Sequence, residues 1–411
     1  MSAHLVTDSA QGLEAHDSSS TDDTSSVEEY RPSRRETLRA IFGLSNAGVI
    51  YAFLALVGGL TVLSALMGRV PYLSEQNVAN LLEQTSSYAI LSVAMAVLLI
   101  SGSFDLSVGS LSALCALVAA LAANAGGPVV AIVAALLVGA AGGIINGTIH
   151  WKVGLNPFIV TLGTLSAFRG LSLVISDGRT VSIRSPEVRA VLENLTSGYI
   201  TTPNLVMLLG LLLLVAGSVA LIARRARLVA ITVAAIGIVV LLVSVSISYE
   251  LRLAKPVYYA AGFTAIVWFT LRYTIVGRRL YATGGSFDAA AVAGIRVAQY
   301  KVFPFILVGL AAGVVGIFFV GRLGGIDPGA FQGAELTVLA AAIVGGVAIS
   351  GGHGDVLKTV VGALLLFTIA NGFNMLNVGA NYQQLFSGVL IVAAATMYVV
   401  AERRQTRQGS Q

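Results

Sequence analysis

The sequence predicts an all-α polytopic membrane protein with about 12 transmembrane helices, 10 at the fewest, and both termini in the cytoplasm. Three observations predict it. Only 11% of the 411 residues are charged and 56% are hydrophobic, whereas a soluble domain carries about 25% charged residues. Apolar runs of about 20 residues, the length a helix needs to cross roughly 30 Å of hydrocarbon, recur from residue 46 almost to the end. Lys and Arg concentrate in alternate connecting segments.

Residues 1–45 contain DSSSTDDTSSVEE and then RPSRRETLR. So few apolar groups cannot offset the entropy of ordering, which predicts a disordered cytoplasmic tail followed by a basic anchor. The first apolar segment begins after residue 45, so no cleavable signal peptide is expected and the first span serves as the insertion signal. The membrane domain is expected over 46–403, with a short cytoplasmic tail at 404–411.

Within it, spans are predicted at about 47–67, 87–101, 106–123, 129–149, 157–176 and 204–223. A second set follows at about 229–248, 257–275, 302–321, 334–350, 358–376 and 384–401. The two runs between 204 and 248 and the interruption SGSFDLS at 101–107 are the least regular. With the N-terminal tail inside, 17 of the 25 Lys and Arg fall on the cytoplasmic side, seven fall outside and Arg169 lies within a helix. Positive charge retained inside gives the orientation.

The composition excludes several functions. A net charge of +5 spread over a polytopic chain gives no nucleic-acid footprint. Cys115 is the sole cysteine, which rules out an intramolecular disulfide or a Cys-based metal site; it reads as a small packing residue. A phosphate-cradling loop requires G-x-x-x-x-G-K-[ST], and the nearest stretch, SGGHGDVLKT at 350–359, has Leu357 before Lys358 and lies between two spans. Catalysis has no support in paired intramembrane carboxylates or H-E-x-x-H, so no catalytic residue, metal or cofactor is expected. His4 and His16 fall in the tail, and His150 and His353 on short cytoplasmic turns.

Ionisable residues at membrane depth are costly and therefore informative. Asp105 opens DLSVGS ahead of an apolar helix, with Ser107 beside it, and reads either as a helix N-cap or as part of a pathway or its gate. Arg169 lies seven residues before the outer end of its span, and reads as snorkelling or structurally paired, or as a pathway residue. Asn146, Asn156, Thr161, Thr164, Asn371 and Asn374 are neutral hydrogen-bonding groups that a polyol-permeable cavity would use and that interhelical bonding explains equally well. Gly139, Gly143 and Gly147, four residues apart, give one helix face for close backbone approach. Pro157 follows Asn156 at a helix start, where a missing N–H costs nothing.

The longest cytoplasmic loop, about 276–301, carries a helix-compatible FDAAAVAGI between Arg278, Arg279, Arg296 and Lys301, a short shallow helix suited to docking in a groove of another protein. It resembles the coupling loop of permeases in ATP-binding-cassette sugar importers, where Y-A-x-G-G-N-x-x-A-A-x-x-S-G-I is typical. Tyr281, Ala282, Gly284, Gly285, Ala289, Ala290, Gly294 and Ile295 fit that pattern, while Ser286 replaces the usual Asn and a third Ala the usual Arg. The resemblance extends over most of 73–401, through NVANLLEQT, DLSVGS, PFIVTLGTLSAFRG, ELTVLAAAIVGGVAISGGHG and NGFNML, and points to the ribose and xylose permeases. Thr337 stands where that group commonly has Asp. The xylose type carries an extra hairpin in the middle, as 204–256 does here.

The resemblance implies a homodimer in the cytoplasmic (inner) membrane around a central sugar path, a separate cytoplasmic ATP-binding subunit, and an extracytoplasmic sugar-binding protein. It implies import of a monosaccharide, with pentoses such as xylose or ribose first. Another small polar solute, a nucleoside or a furanosyl signal, is the alternative within that class. An ion-coupled secondary transporter and a membrane enzyme or scaffold are the alternatives outside it.

Overall fold

A computed structural model describes residues 44–201, 227–246 and 252–377, with a few positions between 211 and 218 and Gly388. The expected spans 204–223 and 384–401 and both terminal tails lie wholly or almost wholly outside the described residues. The membrane unit begins at Ala47. In chain order the elements are α1 (Leu44–Leu66), α2 (Glu75–Ile100), α3 (Val108–Thr148, running on through a π turn, Ile149–Val153), α4 (Pro157–Ser176) and β1 (Val181–Ser182). Next come α5 (Pro186–Ser197), β2 (Tyr199–Thr201), α6 (Arg227–Ser246), β3 (Arg252–Ala254), α7 (Lys255–Tyr273), α8 (Ile275–Gly285) and α9 (Phe287–Val292). The last are α10 (Val297–Leu323), β4 (Gly325–Ile326), α11 (Ala334–Val344) and α12 (Val356–Met375).

Six described helices are long and apolar enough to cross a membrane, or seven if α7 and α8, bent by 75° to each other, are counted as one span. One of the six is α3, whose 41 residues would extend about 60 Å if straight. It is not straight. Gly127 has φ 85° and ψ −170° ahead of Pro128, and beyond that break the chain returns along itself: Gly142 faces Leu111, and Asn146 reaches Asp105 and Ser107. The arms 108–126 and 128–148 are two antiparallel helices that coincide with the apolar runs expected at 106–123 and 129–149.

α4 has the expected limits, started by Asn156, whose side chain accepts the Phe158 N–H at 2.9 Å, and by Pro157 at the first helical turn. α2 begins 12 residues earlier than its apolar run, because Glu75, Asn77, Glu83 and Thr85 break the hydropathy signal; Glu75 is exposed in the first turn, whereas Asn77, Glu83 and Thr85 are buried and bonded. The span expected at 334–350 is corrected. Its helix, α11, has 11 residues, about 16 Å, and the chain from 345 to 355 is irregular. Non-helical backbone at such depth survives only where protein or a cavity surrounds it.

α2 is the centre of the bundle, with Leu91 and Val93–Ile100 almost entirely buried, and α7, α10, α11 and α12 pack around it. The α3–α10 contact is made by backbones. A side chain at Gly139 would strike the Gly309 carbonyl and one at Gly309 the Gly139 carbonyl, while Gly143 meets Phe305 and Ile306. Lipid supplies no hydrophobic drive between helices, so close packing of this kind holds them.

The two short strand pairs mark one end of the bundle. β1 pairs antiparallel with β4, and β2 with β3 in the register Tyr199↔Ala254, Ile200↔Leu253 and Thr201↔Arg252. The second pair brings the two ends of 202–251 together. α8, α9, the break at 101–107 and the turn at 351–354 mark the opposite end.

Candidate functional site

At the α8–α9 end, Thr274 adopts an extended conformation between α7 and α8, and its hydroxyl accepts the Gly277 N–H. α8 ends at Gly285. Ser286 is extended, and its Oγ accepts the Ala289 N–H at 3.3 Å, which caps α9. α9 closes on a paired C-terminal turn, with Ile295 N donating to Ala290 O and Gly294 N to Ala291 O, both at 3.0 Å; Gly294 has φ +75°, which a side chain resists. Ala290 and Ile295 fix the unit on the core. Phe287, Asp288, Ala289 and Ala291 face outward, and Val292 is 90% exposed, so the outward face is small, partly apolar and not needed by the fold. Phe287 also lies against Trp151, ring centroids 6.0 Å apart.

Gly284 and Gly285 differ. A side chain at Gly284 would collide with Ile100 O and stand 2.7 Å from Gly352 N, whereas Gly285 is exposed, with Gly352 Cα 4.0 Å from a side-chain position. Tyr281 Oη donates to Gly354 O at 2.8 Å. The stretch 350–359, read in sequence as a failed phosphate loop, is a glycine turn pressed on α8, followed by Asp355 as the N-cap of α12, accepting the Leu357 N–H.

Of the polar residues expected along a pathway, three come together. Asp105, Ser107 and Asn146 are fully buried: Asp105 Oδ1 accepts from Ser107 N at 2.7 Å and Ser107 Oγ at 2.6 Å, and Asn146 Nδ2 donates to Asp105 Oδ2 at 3.0 Å and Ser107 Oγ at 2.9 Å. The N-cap of α3 is Ser107, not Asp105; the Asp105 carboxylate accepts the N–H of that residue two positions downstream and, through Asn146, ties the α3 arms together. Among the described residues Asn146 Oδ1 has no hydrogen-bond partner.

Arg169 does not snorkel. One guanidinium nitrogen donates to Pro328 O at 2.6 Å and Ala330 O at 2.8 Å, with the Glu335 and Asp327 carboxylates as electrostatic neighbours. It clasps the segment 327–333 that leads into α11. That segment contains Phe331 at φ +60°, packed on Phe319 at 4.7 Å, and presses on Gly109 with the Phe331 carbonyl and the Glu335 side chain. Sequence reasoning found Arg169 and missed what it holds, because Pro, Gly and Ala carbonyls have no compositional signature.

The rest disperse. Thr161 and Thr164 bond back to carbonyls of their own helix, Asn156 caps α4 at the α8–α9 end, and Asn374 is exposed. Asn371 exchanges amide bonds with Asn77 at 2.8 and 3.1 Å, joining α12 to α2. At the strand end Arg322 reaches the buried Glu83 at 3.5 Å, and Tyr199 Oη donates to Glu83, whose charge and the partial burial of the phenol raise its pKa. A cavity of about 450 Å³ between α2, α7 and α12 is lined by Leu82, Ala89, Val257, Ala261, Trp268 and Leu364, with few polar atoms, and does not suit a polyol. No cluster of three metal-ligating side chains occurs among the described residues.

Comparison with known proteins gives a consistent set. The family described as branched-chain amino acid transport system / permease component matches residues 77–395. The ribose import permease protein of Haemophilus influenzae is 29% identical over 344 residues, 84% of this chain and 90% of that protein. The Escherichia coli K12 ribose import permease protein is 32% identical, covering 77% and 84%. The Haemophilus influenzae xylose transport system permease protein is 34% identical over 339 residues, covering 79% and 88%. No solved structure matches.

Proposed function

Because this chain belongs to the family of branched-chain amino acid transport system permease components, with ribose and xylose permeases among its relatives, we propose that it is the membrane subunit of an ATP-driven monosaccharide importer. The observation that carries the reading is α9: a capped, short helix on the core by Ala290 and Ile295 with a small apolar face left outward. Tyr281, Gly284, Gly285, Ala289, Ala290, Gly294 and Ile295 form the docking unit, and a separate cytoplasmic ATP-binding subunit drives transport by moving it. Both termini and the α8–α9 end face the cytoplasm, as positive charge at Arg278, Arg279, Arg296 and Lys301 favours. The strand end faces outward to an extracytoplasmic sugar-binding protein, and two copies of the chain in the cytoplasmic membrane enclose the path.

A pentose such as xylose or ribose is the proposed solute. The β2–β3 pairing supports the xylose type, with about 12 spans in all, since it sets Thr201 opposite Arg252 and so joins the two points between which an added hairpin would lie. Asp105, Ser107, Asn146 and Arg169 are proposed to hold the gate, each through the contacts above, rather than to bind sugar directly. Uptake of labelled xylose and ribose into liposomes carrying this chain, its ATPase and its binding protein tests the reading. Gly285→Trp and Val292→Glu are expected to abolish uptake and ATPase stimulation together. Uphill uptake by the chain alone, or uptake that follows an ion gradient without ATP, would overturn it.

A further inference from the structure

Three irregular stretches meet at the α8–α9 end: the C-terminus of α2 at Ile100–Gly102, the C-terminus of α8 at Gly284–Gly285, and the turn Gly351–Gly354. They meet backbone to backbone. Gly352 N donates to Ile100 O at 2.9 Å. A side chain on Gly351 would lie 2.8 Å from both Gly284 O and Gly102 Cα, and one on Gly352 would lie 2.6 Å from Gly285 Cα. Gly102, Gly351 and Gly352 have positive φ, so a side chain there meets conformational as well as steric resistance.

Two side chains pin the junction. Tyr281 Oη ties α8 to Gly354 O, and Lys301 Nζ, from the first turns of α10, donates to Ser101 O at 2.7 Å and lies against Gly102. Lys301 has no carboxylate within ion-pair distance among the described residues, and its charge is spent on the negative end of α2. Both stretches lead directly to other breaks. Ser101 continues to the buried Asp105 cluster and the start of α3, and Gly354 to Asp355, which starts α12; Gly351 follows the end of α11. A contact of close-packed, hydrogen-bonded backbone passes a displacement on, whereas flexible side chains would absorb it.

We infer that the Gly351–Gly352 turn and Lys301 are positioning residues that carry movement of the docked α9 unit to the ends of α2, α3, α11 and α12. This rests on α9 being the ATPase docking surface, and the wild-type control separates the two. The experiment uses the full assembly of permease, ATPase and binding protein in liposomes, reading labelled xylose transported per ATP hydrolysed. Gly352→Ala and Lys301→Met retain ATPase co-purification and unstimulated hydrolysis, but xylose per ATP falls about tenfold, the range of an allosteric coupling. Lys301→Arg restores it by keeping the cation, and His353→Ala, an exposed side chain in the same turn, behaves as wild type. If Gly352→Ala does not assemble, the Lys301→Met and Lys301→Arg pair decides alone. A wild-type xylose-per-ATP ratio in Lys301→Met overturns the junction; a wild-type assembly whose uptake ignores ATP overturns the docking reading instead.

Discussion

Replacing Arg169 by Met keeps an unbranched, flexible stem, shorter than that of Arg, and deletes both bonds to Pro328 O and Ala330 O. Bonds from a charged donor contribute about 1.5 kcal/mol each at the low end, so the segment 327–333 loses about 3 kcal/mol of restraint. Phe331 at φ +60° adds to the effect, since a side chain held there relaxes once the clasp is gone. At about 1.4 kcal/mol per decade, local opening rises roughly 100-fold. The reporter amides are in place: Ala330 N bonds Asp327 O at 3.0 Å, Ala334 N bonds Phe331 O at 3.1 Å, and Gly333 N bonds Glu335 Oε1 at 3.2 Å. Hydrogen exchange of peptides covering 327–335, measured in lipid nanodiscs, should accelerate by about that factor in Arg169→Met and by less in Arg169→Lys, while peptides from α2 stay unchanged. Unaltered exchange in 327–335 in a folded Arg169→Met protein would refute the clasp.

Other substitutions divide along the same contacts. Gly309→Leu pushes a side chain onto the Gly139 backbone and should cost about 3 kcal/mol, read as a lowered thermal midpoint in detergent. Gly163→Ala and Gly170→Ala, where a side chain meets nothing within 4 Å of the same chain, should be neutral or stabilise by up to about 1 kcal/mol; a large loss there would mean that a second copy occupies that face. Asp105→Ala strands the Ser107 N–H, the Ser107 hydroxyl and the Asn146 amide in a buried site and should destabilise by about 3 kcal/mol, with Asp105→Asn intermediate by the same measurement. Replacing 202–251 by Asn-Gly should preserve folding, seen as a monodisperse protein with α2 exchange protection intact, because Thr201 already lies opposite Arg252.

The clasp and the glycine junction lie on the same structural line. Arg169 holds the entry to α11, and the turn after α11 rests on Gly284 and Gly102. α11 is thus held at its entry by a side chain and beyond its end by close backbone contacts. The apolar residues 345–350 continue the hydropathy of 334–344 without continuing its helix, which is why hydropathy alone overstates the span.

The sequence alone determined the membrane class, most of the described spans, the helical character of FDAAAVAGI and the glycine face of α3, because hydrocarbon thickness and helix period translate directly into run length and spacing. It also singled out Asp105, Asn146 and Arg169, since polar groups at such depth stand out against their surroundings. Only the tertiary structure decided what those groups hold. Arg169 bonds two main-chain carbonyls about 160 residues away, Lys301 bonds one from the end of α2, and Gly284 is required by a carbonyl that any residue could have supplied. Backbone oxygens are the same in every residue, so partners of this kind leave no trace in composition, and the α11 break, the α3 fold-back and the junction at Gly352 became visible only when distant segments were brought side by side.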